Sequence, residues 1–567
     1  MSERIRISDL FRNTRLALSN GLRLLRRKDL DYVVLRVHGG YPERVPARER
    51  PFPLSLLPWP SPPPSVESFN DALERIAQDR RVVGVILIIS NLSAQPASLN
   101  SLRQAVLRFR KAGKEAIAYL AESGMWPYYL ATACDQIFVP ESGGLQTAGL
   151  WSEPVFLKDT LARVGIEADL ESIAEYKVSP DTFRRSEMTE PHREMLESLL
   201  DSIYDSVVGG IAQGRELEPD RVRELLDRVP LQPEEAKQAG LLDAICYEDE
   251  LPARLGSPEH PAALITWEAA QKRLLRQRRW RSRRSIGVIS LEGLIVPGSS
   301  RRPPMPVPLP LPVPGKQAGS ETLSSQLRAA ARSRKLAAVV LHVDSPGGSS
   351  LASDLIWREV DRLRQEKPVV VYMGNQAASG GYYVSAPASH IVAQPTTLTG
   401  SIGIWGGKIV TRGLYDKVGA NREVVSRGEA AGLYADAAPF TEEQRARIRS
   451  ELGAGYTLFK ARVAAGRDMN EEEVEAVARG RVWTGKQALE HNLVDALGDL
   501  QQAAERAREL AGVPANRHAP LVNLSVPKQD QLPLVTAEAA GEWLEGLRAL
   551  LREGILALAP WTIRIRD

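Results

Sequence analysis

The chain has 567 residues, 43% of them hydrophobic and 25% charged, with a net charge of +3. That length and composition support buried cores in several globular units, and the near-neutral balance, with no long Lys/Arg block in the middle of the chain, excludes the electrostatic footprint of a nucleic-acid binder. Two cysteines, Cys134 and Cys246, exclude a disulfide framework; their spacing fits no zinc pattern, and the seven histidines offer no pair at metal-ligand spacing.

Residues 1–30 form a basic amphipathic segment in which Leu10, Phe11, Leu16, Leu18, Leu22, Leu24 and Leu25 are interleaved with arginines. It lacks the apolar stretch of a secretory signal, and no run in the chain is apolar and long enough to cross a bilayer. Such a segment either lies in a membrane interface or docks its apolar stripe on its own protein. The expectation is therefore a peripheral membrane protein or a cytoplasmic one.

A short apolar strand ending at Val37-His38-Gly39 follows, then a proline-rich loop, Arg50 to Pro64, in which neither a regular helix nor a central strand fits. Strand Val82–Ile89, helix Ser98–Ala112 and strand Ala116–Leu120 come next. Alternation of this kind implies βαβ units and largely parallel sheet. The second half runs the same way: a strand to Leu291-Glu292-Gly293, a proline-rich loop from Arg302 to Gly315, then strands alternating with helices and a charged helical region, Thr441 to Ala478. The apolar run Pro368 to Tyr372 reads as a buried strand with Gly374 and Asn375 as turn residues after it. A second amphipathic helix is expected over Trp543 to Trp561.

The resemblance between the halves is a repeat. Val85-Ile86-Leu87 matches Val339-Val340-Leu341, Tyr128-Tyr129 matches Tyr382-Tyr383, and Gly149 and Trp151 match Gly403 and Trp405, all 254 positions apart. Further on the offset is 252, as in Gly214-Arg215 with Gly466-Arg467 and Asp243-Ala244 with Asp495-Ala496. The chain reads as a tandem duplication of an α/β unit, with repeats at 31–280 and 284–515 and a tail at 516–567.

Copies of one scaffold differ where chemistry is added. Ser379, in Ala377-Ala378-Ser379-Gly380-Gly381, stands opposite Met125, and Asp344-Ser345-Pro346-Gly347-Gly348 stands opposite a stretch without glycine, Ser90 to Ala94. Small neighbours let a substrate backbone approach a serine hydroxyl and leave amides free for an oxyanion, although a strand-to-helix turn favours Ser and Gly for its own reasons. A nucleophilic serine needs a base. His342, inside a strand, and His390, before one, have no obvious acidic orienter. A lysine kept neutral by burial is the other option, and Lys177, among Ile173, Ala174, Tyr176 and Val178, stands opposite Ala431. A lone lysine is more often a solvated charge. Yet one half holds the serine without the lysine and the other the lysine without the serine, which suits a shared site.

Asp344 to Gly348, Ala378 to Tyr382, and Thr397-Leu398-Thr399-Gly400-Ser401-Ile402-Gly403 together resemble the signal peptide peptidase A (protease IV) family in its long, tandem-repeat type, over residues 30 to 515. The resemblance implies a crotonase- or Clp-protease-like fold in each half and a Ser/Lys-dyad endopeptidase without metal or organic cofactor. It implies Ser379 as nucleophile, Lys177 as general base and Ser401 as the residue orienting the amine. The amide of Gly380 and one amide of the Gly347-Gly348 turn are implied as the oxyanion hole. Released signal peptides and other hydrophobic peptides are the implied substrates, and a homo-oligomer, commonly a bowl-shaped tetramer, the implied assembly. Long members usually begin with a transmembrane anchor, and no apolar run of that length is found in this sequence. The alternatives are a crotonase-type acyl-CoA enzyme, which shares fold and glycine turn, and a catalytically silent ring scaffold at the membrane.

Overall fold

Strands of continuous β-branched and aliphatic residues, such as the fully buried GVILII run from Gly84, belong in sheets covered on both faces. The computed structural model describes residues 7–25, 30–45, 63–120, 123–277, 280–302, 315–524, 530–531 and 556–558. The first half contributes β1 (Tyr32–Gly39), β2 (Gly84–Leu92), β3 (Glu115–Leu120), β4 (Gln136–Val139), β5 (Glu167–Ser172), β6 (Ala244–Ile245) and β7 (Leu264–Thr266). All but β5 form one parallel sheet in the order β6-β4-β3-β2-β1-β7.

The second half opens with β8 (Ser285–Glu292), β9 (Leu294–Val296), β10 (Arg301–Arg302) and β11 (Gln317–Gly319). It continues with β12 (Leu336–Ser345), β13 (Gly347–Ser349), β14 (Val369–Ala378), β15 (His390–Ala393), β16 (Leu398–Gly400) and β17 (Trp405–Val410). It closes with β18 (Val482–Thr484), β19 (Ala496–Leu497) and β20 (Leu521–Asn523), and the tail adds β21 (Asp530–Gln531) and β22 (Leu556–Leu558). The parallel path β19-β15-β14-β12-β8-β20 repeats the first sheet position for position, with β16 and β18 attached at the far end of β14. Helices Glu190–Arg215 and Glu442–Arg467 are both 26 residues long, and both end on a left-handed cap, Glu216 and Asp468. Each half has its own large apolar core, around Leu87, Ile89 and Leu99 in the first and Leu341, Val371 and Phe459 in the second. The duplication read in the sequence is thus a duplication of α/β architecture.

A third sheet joins the halves. Its order is β21-β10-β11-β9-β13-β22-β17-β5, and β5 of the first half pairs antiparallel with β17 of the second along six residues, from Trp405 opposite Ser172 to Val410 opposite Glu167. Arg445 bonds both Asp169 (2.7 Å) and Glu171 (2.6 Å) across this seam, and the amide of Phe440 donates to Asp169 at 2.6 Å.

Several expectations are corrected here. Gly374 and Asn375 do not end β14. The strand runs on to Ala378 because it changes partner, from β15 at Val370–Met373 to β16 at Gln376–Ala378, with Asp344 accepting from the Gln376 amide at 3.1 Å. Residues 521–523, assigned to the tail, complete the second sheet beside β8. Within the helix expected over 543–561, residues 556–558 are instead β22, whose backbone pairs with β13 on one side and β17 on the other; the rest of that span lies outside the described residues. So do most of the two proline-rich loops.

The helix Ile7–Leu25 forms as its leucine spacing predicts, but it turns polar residues inward. Asp9 and Asn13 are buried, Asp9 accepts from the Arg281 amide at 3.3 Å, and Asn20 bonds the Arg276 carbonyl at 2.8 Å. Leu10, Leu18, Leu22 and Leu24 are exposed and Phe11 is 74% exposed. Among the described residues, no helix is long and apolar enough to cross a membrane.

Candidate active site

The second half supplies a hydroxyl on a forced turn. Ser379 follows β14 and precedes the short helix Gly380–Ser385, and its backbone is held at φ 54°, ψ −114°. A non-glycine residue at such angles costs about 1–3 kcal/mol and persists only where its surroundings fix it. Here the Ser379 amide donates to the Gly400 carbonyl at 2.7 Å, and the Tyr383 amide bonds the Ser379 carbonyl at 2.8 Å. Glycine is required next to it, since a Cβ on Gly380 would lie 2.5 Å from Ser353 Oγ and 3.2 Å from both Gly347 Cα and Gly348 N.

The first half supplies an amine. Five residues beyond β5, Lys177 enters the second half and is 1% exposed, beside fully buried Ser379 and Ser401. Its Nζ lies 2.7 Å from Ser379 Oγ, 3.0 Å from Ser401 Oγ and 3.0 Å from the Ser401 carbonyl oxygen. Burial alone drives the ammonium well below its ordinary pKa, with no carboxylate to offset it. Desolvation is what favours the neutral amine, and a neutral amine in this position has two N–H donors for the two Ser401 oxygens and a lone pair that can accept a hydrogen bond from the Ser379 hydroxyl.

Sequence reasoning missed what seats this lysine. The segment Arg479-Gly480-Arg481 crosses both arms: Tyr176 N donates to Arg479 O at 3.2 Å, and Ser401 N donates to Arg481 O at 2.7 Å. Gly480 has φ +80°, and a Cβ there would stand 2.5 Å from Lys177 N and 2.6 Å from Lys177 Cβ. A Cβ on Gly403 would stand 3.1 Å from Lys177 Cδ. The available signal was again a difference between copies, for Gly480 stands opposite Arg228 at the 252 offset.

The glycine turn adjoins the hydroxyl as expected, with φ 101° at Gly347 and 157° at Gly348. The two amides are not equivalent. Gly347 N donates to Ser345 Oγ at 3.1 Å, so it is already used, and Gly348 carries the other amide of the turn. Gly380 N, at the first position of its helix, has no acceptor within that helix. The histidines lie elsewhere. His342 is buried and stacked on Tyr372 with ring centroids 5.6 Å apart, and its Nδ1 is 3.9 Å from Glu292; His390 Nδ1 is 3.8 Å from Asp495. Each therefore has an acid nearby, contrary to expectation, but the group at hydrogen-bond distance from Ser379 is Lys177.

The model of peptidase family S49 matches the chain twice, at residues 108–259 and 361–514. The chain is 35% identical over 468 residues to a chloroplastic serine protease, SPPA, of Arabidopsis thaliana, covering 82% of this chain and 68% of that one. It is 28% identical over 455 residues to Protease 4 of Haemophilus influenzae, covering 77% of this chain and 72% of that one. Solved structures similar to parts of it include ClpP1 from Listeria monocytogenes, with 13% identity, TM-score 0.20, and coverage of 33% of this chain and 86% of that one. A mutant of the 1510-N membrane-bound stomatin-specific protease matches at 14% identity and TM-score 0.25, covering 45% of this chain and all of that one.

Proposed function

The chain belongs to peptidase family S49, and from that premise we propose that it is a serine endopeptidase working through a Ser379/Lys177 dyad on hydrophobic peptides, cleaved signal peptides among them. The observation that carries the reading is the 2.7 Å separation of Lys177 Nζ from Ser379 Oγ, across 202 residues of sequence, with the amine buried and unpaired to any carboxylate. Neutral Lys177 accepts the proton of Ser379 as its Oγ bonds to the peptide carbonyl carbon. Ser401 Oγ and the Ser401 carbonyl hold the amine in place while it becomes an ammonium. The amides of Gly380 and Gly348 receive the oxyanion, a contribution typically worth about 10²–10³ in rate per donor. The lysine then gives its proton to the departing amine, and water resolves the acyl-enzyme with Lys177 again as base.

The test is labelling with a serine-reactive probe together with digestion of casein and a synthetic signal peptide. Wild type should label and turn over; Ser379→Ala should do neither. If Lys177→Ala turned over normally, the dyad would be wrong. A thermal shift with acyl-CoA thioesters, and none with peptides, would favour the acyl-CoA reading, and an inert wild type would favour the scaffold.

The exposed apolar face of helix Ile7–Leu25, flanked by Arg12 and Arg15, supports a peripheral contact with a membrane surface. Co-sedimentation with anionic vesicles checks it, and Phe11→Asp should weaken it. Homo-oligomerisation, as a tetramer, rests on the resemblance of the three motifs; light scattering of the purified chain tests it.

A further inference from the structure

The cations of this chain are unevenly spread. From Ala269 to Leu291, the passage from the first repeat to the second, there is no acidic residue, while Arg273, Arg276, Arg281, Arg283 and Arg284 fall within it. Helix Ile7–Leu25 is pinned to this passage. Asn20 donates to the Arg276 carbonyl at 2.8 Å and accepts from the Arg276 amide at 3.1 Å, and Asp9 accepts from the Arg281 amide at 3.3 Å. The segment before β20 is tied in as well: the His518 amide donates to the Trp280 carbonyl at 2.8 Å, and the Ser282 amide to the His518 carbonyl at 3.0 Å. These bonds use backbone atoms of Arg276 and Arg281, and both of their side chains are exposed.

Three stretches distant in sequence thus share one cavity of about 600 Å³, whose lining includes Arg12, Arg15, Ser19, Arg276, Arg281 and His518. Among the described residues lining it there is no carboxylate. Asp9 accepts from Arg12 Nη2 at 2.9 Å and offsets one of the four guanidiniums. The surroundings are crowded with like charge. Partial burial, then the charges of Arg276 and Arg81, hold the Arg23 guanidinium below its ordinary range, and burial followed by Arg276 does the same to Arg75. An anion in the cavity relieves that repulsion. Guanidinium forks match the oxygens of a phosphate, and several of them around one space suit an anion with more charge and more acceptors than a carboxylate. The volume is that of a small-molecule site, so there is room for the group that carries the phosphate.

We propose that this cavity binds a phosphate-bearing anion, whose oxygens are taken by the guanidiniums of Arg12, Arg15, Arg276 and Arg281. The chemistry is the same for a soluble phosphate ester and for the head group of an anionic lipid. Phe11, Arg15, Leu18 and Leu22 follow one another at helical spacing and share a face, and Phe11, Leu18 and Leu22 are exposed. A lipid phosphate held at Arg15 therefore brings its acyl chains against that apolar face, which favours the head group as the source. Only this choice of source rests on the membrane contact proposed above; the anion site stands apart from it and from the peptidase reading.

The experiment uses the full chain. Calorimetry with inorganic phosphate and glycerol phosphate reads the soluble source, and sedimentation with phosphatidylcholine vesicles, with and without phosphatidic acid, reads the lipid. Wild type should bind the phosphatidic acid vesicles and not the plain ones. Arg276→Gln/Arg281→Gln should weaken that binding on the order of 25-fold, about fivefold per charge. Arg358→Gln/Arg412→Gln, which removes the same charge from exposed sites elsewhere, should bind as wild type does. If the first double variant fails to fold by circular dichroism, Arg15→Gln replaces it, with an expected loss of about fivefold. Soluble phosphate binding that is lost in Arg276→Gln/Arg281→Gln and kept in Phe11→Asp, without vesicle binding, upholds the site and overturns the lipid source. Equal losses in the two double variants mean that binding follows net charge alone, and they overturn the site. So does a wild type that binds neither the vesicles nor the soluble phosphates at up to about 1 mM.

Discussion

The two halves are the same scaffold put to different uses. Strand order, helix lengths and even the left-handed caps at Glu216 and Asp468 repeat, yet where the second half turns through Ser379 at φ 54°, the first begins the helix Met125–Ala131 with a buried methionine. Where the second half places two glycines after β12, the first has Ser93 and Ala94 after β2. In return the first half sends β5 and Lys177 across the seam, to a place its own copy never fills. The lesson is that duplication allows division of labour: each half keeps a stable core, and the strained serine and the desolvated amine are brought together where the halves meet.

Breaking that division outright should have the largest effect. Ser379→Ala and Lys177→Met should each lower kcat/KM by about 10⁴-fold or more, the loss seen when one of a set of catalytic groups acting together is removed. Lys177→Met should also raise the melting temperature. The unfolded lysine keeps its proton up to pH ~10.5 while the buried one releases it at lower pH, so between those values the unfolded chain binds more protons and native stability is sacrificed as pH falls. Differential scanning calorimetry across pH should show the slope in wild type and its loss in Lys177→Met.

Next comes the glycine turn. Gly348→Ala introduces a Cβ 2.0 Å from the Ile295 carbonyl oxygen at a residue with φ 157°. The turn must shift, and single-turnover rates should fall about 10²–10³-fold, as for a lost oxyanion donor. Ser401→Ala removes one of the three oxygens around Nζ, and a ten- to hundredfold loss in kcat is expected. Wild-type activity should rise with pH as Lys177 loses its proton, and that limb should move in Ser401→Ala, a displacement that a merely structural serine would not cause.

The smallest effect sharpens the comparison from the side of stability. Glu43 of the first half is buried against the second, accepting from Tyr372 at 2.7 Å and Ser101 at 2.9 Å. Burial pushes its carboxyl from 4.5 up to about 8. A carboxyl raised in this way favours the native state below pH 4.5 and loses that contribution as pH rises to about 8. Glu43→Gln should flatten urea-unfolding stability across this window and leave kcat unchanged.

Much of this molecule is written locally. Apolar runs and helix spacing are properties of neighbouring residues, and the offset between copies can be counted along the chain, so the α/β architecture, the duplication and the serine between two alanines and two glycines were legible without coordinates. The inward-facing polar side of helix Ile7–Leu25 and the strand at 556–558 were not, because an amphipathic pattern states that two faces differ but not which one finds a partner. Lys177 shows the boundary most clearly. Its sequence neighbours are unremarkable for a surface lysine; what buries it is the pairing of β5 with β17, the crossing of Arg479-Gly480-Arg481, and two glycines that leave room for its stem. Periodicity and turn preference act over a few residues, and the sequence alone determines them. A desolvated amine 2.7 Å from a hydroxyl 202 residues away depends on how two finished cores meet, which only the tertiary structure decides.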